Sequence, residues 1–497
     1  MNTQLLARRR IVPRQPPQRR ATVRRAIANL MKLMQEFDFC VLGGGSAGFA
    51  AATTARSMGK SVAVVDGTGP LAGLCILRGC MPSKTLLRSA EIAHLMKVAP
   101  ALGVTPTGVR IDVPAIVERK RRIIDDFAHE RVMALETFPL FRGKPRFTGQ
   151  TELVVDDQPI RASKFLIATG SVINVPPISG LIDTGFLTSD DVLDLTKLPK
   201  SVIVLGGGVA GVELAQYLSR VGVITTMVQR SITLLSAEDP DVGESVRMSL
   251  EKEGIRIFTG AHLRSVEKKV EGKSVTARIG GMDMSLEAEQ IFIALGRRPN
   301  VDDFGFEAAD VAYDHGGVKI NEHLRTTNPH IYAAGDVTGN MELVHVAVHS
   351  GEVAARNAFS SQKLKVNLDL MQARAVFTDP QVGIAGLTER QCEQRGIAYE
   401  KAVYPFRELG KAITAELTDG FVKMLAAPDG RILGVAIVGA EASNLIHEAI
   451  ALVYFRATCS DVLEMPHLHP TLAEIITYPA EELCERLQHE RHVVVTP

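Results

Sequence analysis

The chain has 497 residues, with 56 basic and 56 acidic side chains and 46% hydrophobic residues, a composition that excludes a mainly disordered protein. At about 100 to 200 residues per domain, this length predicts roughly three domains and excludes a single small binding module. No apolar run approaches the ~18 residues that cross a bilayer, and no secretory signal opens the chain. Six cysteines are too few for a secreted disulfide scaffold. We therefore expect a cytoplasmic protein without membrane segments.

Residues 1–36 form a basic arm, which we expect to be disordered. The arm has eight Arg and one Lys against Glu36 alone, so the rest of the chain is net negative by eight and has no nucleic-acid signature. Three interpretations of the arm stay open. It is a tail or an over-extended start before Met31 or Met34, a transit peptide that would place the protein in an organellar matrix, or a docking arm; the missing Ser weakens the transit peptide.

The first regular unit is predicted in FDFCVLGGGSAGFAAATTARSMGKSVAVVD, which has the pattern of a strand, a glycine turn, a helix and a second strand. Gly43 permits the tight turn, Gly45 lets a pyrophosphate approach the helix N-terminus, and Gly48 allows close packing of helix on strand. Asp66 lies 23 residues after Gly43, where a carboxylate can bind a ribose hydroxyl. Such a turn alone is weak evidence, because glycine turns also connect strands and helices that bind no ligand.

A pair of cysteines follows in GLCILRGCMPSKTLL, where Cys75 and Cys80 lie five positions apart with Gly79 and Pro82 as chain breakers. A disulfide across so short a loop would stabilise the fold by only about 2 kcal/mol, through the entropy it removes from the denatured chain. A disulfide that is reduced and re-formed during a reaction is therefore a better interpretation than a structural one. A half zinc site or two unrelated thiols are the alternatives, but no second closely spaced ligand pair follows, and we predict no metal site. The cations Arg78 and Lys84 would each favour a thiolate.

The glycine turn recurs 163 residues later in SVIVLGGGVAGVELAQYLSRVGVITTMVQR, at Gly206, Gly208 and Gly211, so two dinucleotide sites are predicted. The residue 23 positions after Gly206 is the neutral Gln229, followed by Arg230. Because this position has no carboxylate and an arginine follows it, the site is predicted to bind the 2′-phosphate of NADP and so to favour NADP over NAD. In the alternative interpretation Arg230 is merely solvated and Gln229 still binds NAD.

A candidate acid–base pair lies near the C-terminus in PHLHPTLAEI. His469 precedes a proline and Glu474 lies five residues further on, so the carboxylate can orient the imidazole as an acid–base catalyst. Taken alone, the two residues are equally well explained as unrelated surface side chains.

With these motifs in place, the chain from about residue 37 onward resembles the FAD-dependent pyridine nucleotide-disulfide oxidoreductases. The segment with Cys75, Cys80, Pro82, Ser83 and Lys84 matches the family's redox disulfide. The resemblance implies that Cys80 is the flavin-side thiol and Cys75 the thiol that meets the substrate. It also places Lys84 beside the flavin, Glu213 near flavin and nicotinamide, and makes the histidine of HPTxxE, here His469, an acid–base catalyst for the partner subunit.

Other motifs of the family are present as well. Pro145 falls where the family makes a backbone contact to adenine, and Gly296 in ALGRRP matches a contact to the nicotinamide dinucleotide. Leu74 and Asp66 replace the usual Thr and Glu. FLIATGS, IYAAGDVTG and the residues that follow match further FAD contacts at Thr169, Gly170, Ser171, Gly335, Asp336, Glu342, Leu343, Val344 and His345.

Within the family the segments point to two substrates. His467 before HPT, the PSK motif, TDGFVKMLA and ILGVAIVGAEASNLI resemble dihydrolipoyl dehydrogenase, whereas FTDPQVG and MVQRSITLLSAEDPDVGESV resemble mercuric reductase. Mercuric reductases lack the HPT histidine and end in a vicinal cysteine pair, while only Cys484 lies near this C-terminus. We therefore expect a lipoyl-type dithiol or disulfide substrate. Reduction of Hg(II) or glutathione disulfide is the alternative, and a flavin-bound structural subunit is the non-catalytic one.

The predicted fold is α/β, with two Rossmann-like dinucleotide-binding domains and a C-terminal α+β dimerisation domain. We place the FAD domain at residues 37–195 and 329–371, an inserted NAD(P) domain at 196–328 and the dimerisation domain at 372–497. The cofactors are FAD and NAD(P)H, with NADP favoured. A homodimer is implied because each site needs the partner's His469, and no nucleic-acid or membrane partner is expected.

Overall fold

A computed structural model describes the backbone of residues 34–494 and the side chains of residues 34–487. Most of the predicted basic arm therefore lies outside the described residues. The first strand begins at Gln35, so the folded body starts two residues earlier than the expected residue 37. None of the helices in the described part of the chain is both long and apolar enough to span a membrane.

The first unit is a sheet whose central strands are buried runs of apolar residues, as parallel strands covered on both faces require. Its elements, in chain order, are β1 (Gln35–Leu42), α1 (Ser46–Ser57), β2 (Val62–Asp66), α2 (Leu74–Leu77), α3 (Cys80–Val98), α4 (Val113–Leu135), β3 (Leu140–Arg142), β4 (Pro145–Gly149), β5 (Glu152–Val155), β6 (Gln158–Ile167), β7 (Ser171–Ile173), α5 (Leu181–Thr184) and α6 (Ser189–Asp194).

Strand β1 lies at the centre of this sheet, whose order is β3-β2-β1-β6-β5-β4. It runs parallel to β2 and to β6, with Cys40 opposite Ala63 on one side and Phe165 on the other. The glycine turn after β1 therefore lies at the carboxyl edge of the central strands, which is where ligands bind to open α/β sheets.

The second unit repeats the arrangement on a smaller scale. Its elements are β8 (Ser201–Leu205), α7 (Val209–Arg220), β9 (Ile224–Val228), α8 (Pro240–Lys252), β10 (Arg256–Phe258), β11 (His262–Lys269), β12 (Gly272–Ile279), β13 (Met282–Ala288) and β14 (Gln290–Ile293). Strands β10-β9-β8-β14 form a parallel sheet, and β11-β12-β13 form an antiparallel one. The prediction of two Rossmann-like units is confirmed.

The chain then returns to the first sheet through β15 (Arg297–Pro299), β16 (Tyr313–Asp314), β17 (Gly317–Val318), β18 (Ile331–Ala333) and α9 (Val344–Phe359). Strand β18 runs parallel to β6 and adds a seventh strand. Val301, Phe306 and Val318 already pack in the same core as Phe147 and Phe165 of the first unit. This packing favours a return near residue 297, earlier than the residue 329 expected from the sequence.

The C-terminal unit has the predicted α+β form. Its elements are β19 (Ala373–Val376), β20 (Gln381–Gly386), α10 (Glu389–Arg395), β21 (Glu400–Pro405), α11 (Gly410–Thr414), β22 (Phe421–Ala426), β23 (Ile432–Gly439), α12 (Ala442–Tyr454), α13 (Cys459–Glu464) and α14 (Thr477–Val494). The strands form one antiparallel sheet in the order β19-β20-β23-β22-β21. Buried residues of the sheet and of α12 and α14 share one core.

Lys423 joins the C-terminal unit to the second unit from a buried position. Its ammonium nitrogen lies 2.9 Å from carboxylate oxygens of Asp239 and Asp241 and 2.8 Å from Glu389. These carboxylates lie close enough together to hold a metal ion, but the lysine already supplies their positive charge. The cluster is therefore a buried ion-pair network that stabilises the contact between the two units only while every member is present.

Arg220 also joins the second unit to the C-terminal unit through ion pairs, at a point where α3, α8 and the C-terminal unit meet. It donates hydrogen bonds of 2.6 Å to Glu253 and 2.7 Å to Asp379, with His94 3.8 Å from Glu253. The guanidinium occupies the space between the two carboxylates. This group is also an ion-pair network rather than an open set of metal ligands.

Candidate active site

The first glycine turn leaves room for a ligand only at its middle glycine. Gly43 has φ +106°, and a β-carbon there would lie 2.2 Å from the carbonyl oxygen of Ala168; one on Gly48 would lie 1.8 Å from the oxygen of Gly43. At Gly45 the nearest atom would be Gly73 Cα, 3.9 Å away. Helix α1 has neither a side-chain cap nor an acidic residue in its first turn, so its N–H groups are available to a phosphate.

The second glycine turn has the same geometry. A β-carbon on Gly206 would lie 2.3 Å from the oxygen of Ala294, and one on Gly211 would lie 2.3 Å from the oxygen of Gly206. A β-carbon on Gly208 would meet nothing within 4 Å. Both turns thus fit a dinucleotide, because the outer glycines make the turn and the middle one leaves an open cradle.

Asp66 and Gln229 occupy equivalent places behind the two turns. Asp66 accepts hydrogen bonds from the backbone N–H groups of Gly44 at 3.0 Å and Gly67 at 2.8 Å, and burial raises the pKa of its carboxyl group. The side-chain oxygen of Gln229 accepts the N–H of Gly207, also at 3.0 Å. Gln229 therefore keeps the internal role of the carboxylate without its charge. Arg230 is exposed, and in the described part of the chain it has no ion-pair partner.

The dithiol loop consists of the single helical turn α2, then Arg78 and Gly79, and then α3, which begins at Cys80. A β-carbon at Gly79 would lie 3.2 Å from Cys75 Cα, so glycine lets the loop fold back on itself. The prediction that Pro82 breaks the chain is wrong. Pro82 lies in the first turn of α3, where its missing N–H removes no intrahelical hydrogen bond. Cys75 and Cys80 are both free thiols.

The two thiols differ sharply in acidity. A hydrogen bond from Cys75, supported by the charge of Lys84, lowers the pKa of Cys80 to about 6 against the opposing effect of burial. The same hydrogen bond, followed by burial, raises the pKa of Cys75 well above its usual range. At neutral pH Cys80 is a thiolate, whereas Cys75 keeps its proton and needs a base before it can react.

Lys84 is held beside the dithiol by Glu213, which comes from α7 of the second unit. The ammonium nitrogen lies 2.8 and 3.0 Å from the two carboxylate oxygens. Glu213 is almost fully buried, and it also accepts the backbone N–H of Phe377 at 2.9 Å, while Lys84 lies 4.6 Å from the centre of the Phe377 ring. The two residues that the family resemblance places near the flavin therefore contact each other, and a residue of the C-terminal unit completes the contact.

Arg78 lies next to the dithiol in sequence, but it does not lower the pKa of Cys80. Its guanidinium pairs with Asp194 at 2.5 Å, and Asp194 also binds the buried Lys120 at 2.6 Å. Among the two flanking cations only Lys84 acts on Cys80. The expectation that Arg78 favours the thiolate is not supported, because a carboxylate from α6 neutralises it.

The motifs FLIATGS and IYAAGDVTG meet in one network. Ser171 donates a 2.8 Å hydrogen bond to Asp336 and accepts one of 2.9 Å from Arg297, while the Thr169 hydroxyl donates to the carbonyl of Asn300 at 2.7 Å. Burial and the nearby Asp336 raise the pKa of Glu342. Arg297 of this network was not among the predicted site residues, although it directly follows the predicted contact Gly296.

The other predicted cofactor contacts lie at the ends of elements. Pro145 begins β4, Gly296 lies between β14 and β15, Gly170 and Gly335 have positive φ angles, and Ser83 donates a 2.9 Å hydrogen bond to the carbonyl of Gly79. Leu343 is the N-cap of α9, whose first two residues are Val344 and His345. His345 Nε2 lies 3.0 Å from the carbonyl of Met371. These positions are compatible with a cofactor lying along the carboxyl edge of the first sheet.

His469 and Glu474 form a pair in the C-terminal unit. Nδ1 of His469 lies 3.0 Å from Glu474 Oε2, and the N–H of Thr471 donates to the other oxygen at 3.3 Å. Because a carboxylate only accepts, Nδ1 donates this hydrogen bond, and Nε2 has no hydrogen-bond partner among the described residues. The imidazole is 77% exposed, whereas the carboxylate is 10% exposed.

Nothing joins this pair to the dithiol within one chain: no hydrogen bond or ion pair links His469 to Cys75 or Cys80 among the described residues. Large apolar side chains near it in sequence are also exposed, with Leu468 at 81% and Phe455 at 78%. Exposed apolar side chains of this kind are typical of a surface that another chain contacts.

The acidity of Cys80 gives a direct prediction. In the reduced protein the rate of alkylation of Cys80, followed by mass spectrometry, should rise with pH through a midpoint near 6, because only the thiolate reacts. Replacing Lys84 by Met and Glu213 by Gln together should raise that midpoint, since Lys84 lowers the pKa more than Glu213 raises it. The double change also avoids leaving a buried charge unpaired.

Lys252→Met is the matched control for this experiment. Lys252 pairs with Asp419 on the surface, so its removal should leave the midpoint where it is. A midpoint that does not move in the double variant would contradict the role of Lys84.

Comparison with known proteins places these features in context. Residues 37–351 match the family model described as pyridine nucleotide-disulphide oxidoreductase, and residues 372–480 match its dimerisation domain. A mercuric reductase from Bacillus cereus is 35% identical over 444 residues, which cover 88% of this chain and 70% of that protein. A dihydrolipoyl dehydrogenase from Bacillus subtilis is 32% identical over 459 residues, covering 89% and 96%.

Among solved structures, the chain is similar to a Cu(II) complex of the HOCl-induced flavoprotein disulfide reductase RclA from Escherichia coli. The TM-score is 0.80 at 23% identity, covering 90% of this chain and 100% of that one. At this identity the likeness concerns the fold.

Proposed function

Because the chain belongs to the pyridine nucleotide-disulphide oxidoreductase family, we propose that it moves electrons between NAD(P)H, FAD, the Cys75–Cys80 pair and a small dithiol or disulfide, with a lipoyl group as first choice. One observation carries the proposal. A protonated Cys75 lies beside a low-pKa Cys80, and the same protein carries an oriented, exposed imidazole that can serve as the missing base.

The family is FAD-dependent, with NAD(P)H as electron donor. When bound, FAD supplies the relay of an electron pair between the nicotinamide and the dithiol. In this chain the residues around Gly45 would hold the pyrophosphate of FAD and those around Gly208 that of the nicotinamide dinucleotide. Both cradles are open, and the Lys84–Glu213 pair lies between the first and second units.

We assign the thiol chemistry as follows. Nε2 of the partner subunit's His469 takes the proton of Cys75, whose thiolate attacks one sulfur of the substrate disulfide. The substrate S–S bond breaks as the Cys75–substrate bond forms, and the leaving thiolate takes the proton back from the imidazolium. The Cys80 thiolate then attacks Cys75, which forms the Cys75–Cys80 disulfide and releases the second substrate sulfur as a thiolate that takes a proton from solvent.

The dimerisation domain supports a homodimer. In that dimer the exposed imidazole of His469 would act on the dithiol of the partner subunit. Glu474 would hold the imidazolium during proton transfer, because a mostly buried carboxylate beside it stabilises the positive charge.

His469 also bears on the kind of substrate. Cleavage of a disulfide releases thiolates that need protons, whereas delivery of two electrons to a metal ion requires no such proton. The pair therefore favours a dithiol or disulfide over Hg(II), although relatives named mercuric reductase reach 35% identity. Reduction of Hg(II) is the second candidate function.

A substrate panel tests the proposal. Dihydrolipoamide, glutathione disulfide and Hg(II) should be compared with both nicotinamides, and the specificity constant should be highest for dihydrolipoamide. Turnover of Hg(II) alone would overturn the substrate assignment, and absence of turnover with all three would favour a structural flavin-bound subunit.

The nicotinamide gives a further prediction. Gln229 is neutral and Arg230 is exposed without a partner in the described part of the chain, so NADPH should have a higher specificity constant than NADH. One exposed Arg–phosphate contact is worth about 1 to 3 kcal/mol, so the preference should be modest and should fall with added salt.

Gln229→Glu should reverse this preference. The new carboxylate can accept the N–H of Gly207 as Asp66 accepts that of Gly44, while it repels the 2′-phosphate. A native protein that prefers NADH, together with an Arg230→Ala variant unchanged toward both nicotinamides, would refute the assignment.

A further inference from the structure

The loop between the two thiols, residues 76–79, is poorly packed. None of its residues is buried, and the helical turn α2 that carries Cys75 contains no buried residue either. The loop is nevertheless folded back, since a β-carbon on Gly79 would lie 3.2 Å from Cys75 Cα. Conformational entropy favours the opening of such a loop, so a contact from outside is needed to keep it closed when the two sulfurs are not bonded to each other.

Arg78 supplies a contact of this kind. It is the only charged residue of the loop, and its Nη1 atom lies 2.5 Å from Oδ2 of Asp194. Asp194 is the last residue of α6, in the connection that leads to the second unit. The ion pair therefore joins the dithiol loop to an element 116 residues further along the chain.

Asp194 is itself fixed, which distinguishes the contact from an isolated surface ion pair. Its other oxygen accepts a 2.6 Å hydrogen bond from Lys120 of α4, whose side chain is only 6% exposed. Burial opposes ionisation of Asp194, but hydrogen bonds from Lys120 and Arg78 outweigh it and lower the pKa of its carboxyl group. Because the carboxylate is already ordered, only Arg78 and its loop lose conformational freedom when the pair forms.

We propose that Arg78 is a positioning residue: its pairing with Asp194 tethers the dithiol loop and keeps the two thiols together while their disulfide is open. The inference rests on the proposed function and deepens it, because the same tether keeps a substrate-bearing Cys75 close to the Cys80 thiolate. The disulfide fixes the loop covalently, whereas in the dithiol form the tether restrains it. Loss of the tether therefore releases the loop in the dithiol form alone and stabilises that form.

The equilibrium with dithiothreitol tests this. The Cys80 thiolate and the Cys75 thiol lose two electrons and form their S–S bond. Oxidised dithiothreitol gains the two electrons, opens its own S–S bond, and takes the Cys75 proton and one proton from solvent. The holoenzyme is equilibrated at several ratios of oxidised to reduced dithiothreitol and quenched with acid, and the Cys75–Cys80 disulfide is quantified by mass spectrometry.

Arg78→Met should lower the equilibrium constant for disulfide formation by roughly 3- to 10-fold, since it frees a loop that one ion pair of a network had restrained. A tenfold change corresponds to about 30 mV in the potential of the pair. The variant leaves Asp194 paired with Lys120, so no buried charge loses its partner. Arg78→Lys keeps the charge and should restore part of the equilibrium constant.

Arg121→Met is the matched control. Nε of Arg121 lies 3.6 Å from Oδ1 of Asp194, so this cation faces the same carboxylate, but it belongs to α4 rather than to the loop. Its removal should leave the equilibrium constant unchanged. The pH midpoint of Cys80 alkylation should be the same in both variants and in the wild-type protein, and a shifted midpoint in Arg78→Met would overturn the tether in favour of a charge effect on the thiol.

A second route removes the anchor and leaves Arg78 in place. Lys120→Met combined with Asp194→Asn should lower the equilibrium constant as much as Arg78→Met does, and addition of Arg78→Met should lower it no further. A wild-type pair that forms no disulfide at any dithiothreitol ratio would refute the proposed function. A wild-type pair that forms its disulfide, with the same equilibrium constant in Arg78→Met, would refute the tether.

Discussion

Replacing Cys75 by serine should abolish disulfide turnover, lowering the specificity constant at least about 10⁴-fold, as loss of a catalytic nucleophile does. Cys75 is the thiol whose proton must be removed before attack, and a serine hydroxyl is a far weaker nucleophile. The variant should still bind FAD and still reduce artificial electron acceptors with NAD(P)H, because the glycine turns are untouched. Steady-state kinetics with both kinds of acceptor provides the measurement.

Two companion variants sharpen this result. Cys80→Ser should lose disulfide turnover as well, since the second step needs its thiolate. Cys484→Ser changes an isolated, half-buried cysteine of the C-terminal unit and should retain wild-type kinetics. Normal disulfide activity in either dithiol variant would rule out the Cys75–Cys80 pair as the reactive centre.

Replacing His469 by alanine should lower disulfide turnover by roughly 10² to 10⁴, the usual contribution of a positioned acid–base group. The imidazole is exposed and its Nδ1 is bound by Glu474, so the change removes a base without opening a cavity in the core. FAD content and reduction of artificial acceptors should stay normal. Glu474→Gln should produce a smaller loss, because the imidazole remains but loses the charge that stabilises its protonated form.

Mixed dimers test whether the histidine acts across the interface. A subunit with His469→Ala paired with a subunit with Cys75→Ser should recover about half of the wild-type activity, because one of the two sites then combines an intact dithiol with an intact histidine. Each parent dimer alone should be inactive or nearly so. A mixed dimer as inactive as its parents would show that dithiol and histidine come from the same chain.

The local units of this protein could be predicted from the sequence alone. The two glycine turns, the βαβ pattern around each and the spacing of Cys75 and Cys80 all depend on residues within about 30 positions of one another, where periodicity and glycine placement determine the backbone directly. The α/β fold class followed from the repeat of that unit. The His469–Glu474 contact was also predictable, because a turn brings residues five positions apart together.

Contacts between units were beyond the reach of sequence patterns. Lys84 contacts Glu213 across 129 residues, and Arg78 contacts Asp194 across 116. Lys84 still lowers the pKa of Cys80, whereas Arg78 does not have the effect on Cys80 that its sequence position predicts. Likewise, only the packing shows that Val301 and Phe306 share a core with Phe147 and Phe165 of the first unit.

The sequence by itself thus determined the motifs and the two thiols, whereas the tertiary structure decided how each thiol ionises and which of the flanking cations acts on Cys80. The physical reason is that a pKa depends on burial and on charges within a few ångströms. For Cys80 those charges come from Lys84 of its own helix and from Glu213 of the second unit. Only the packing of the units brings these groups together.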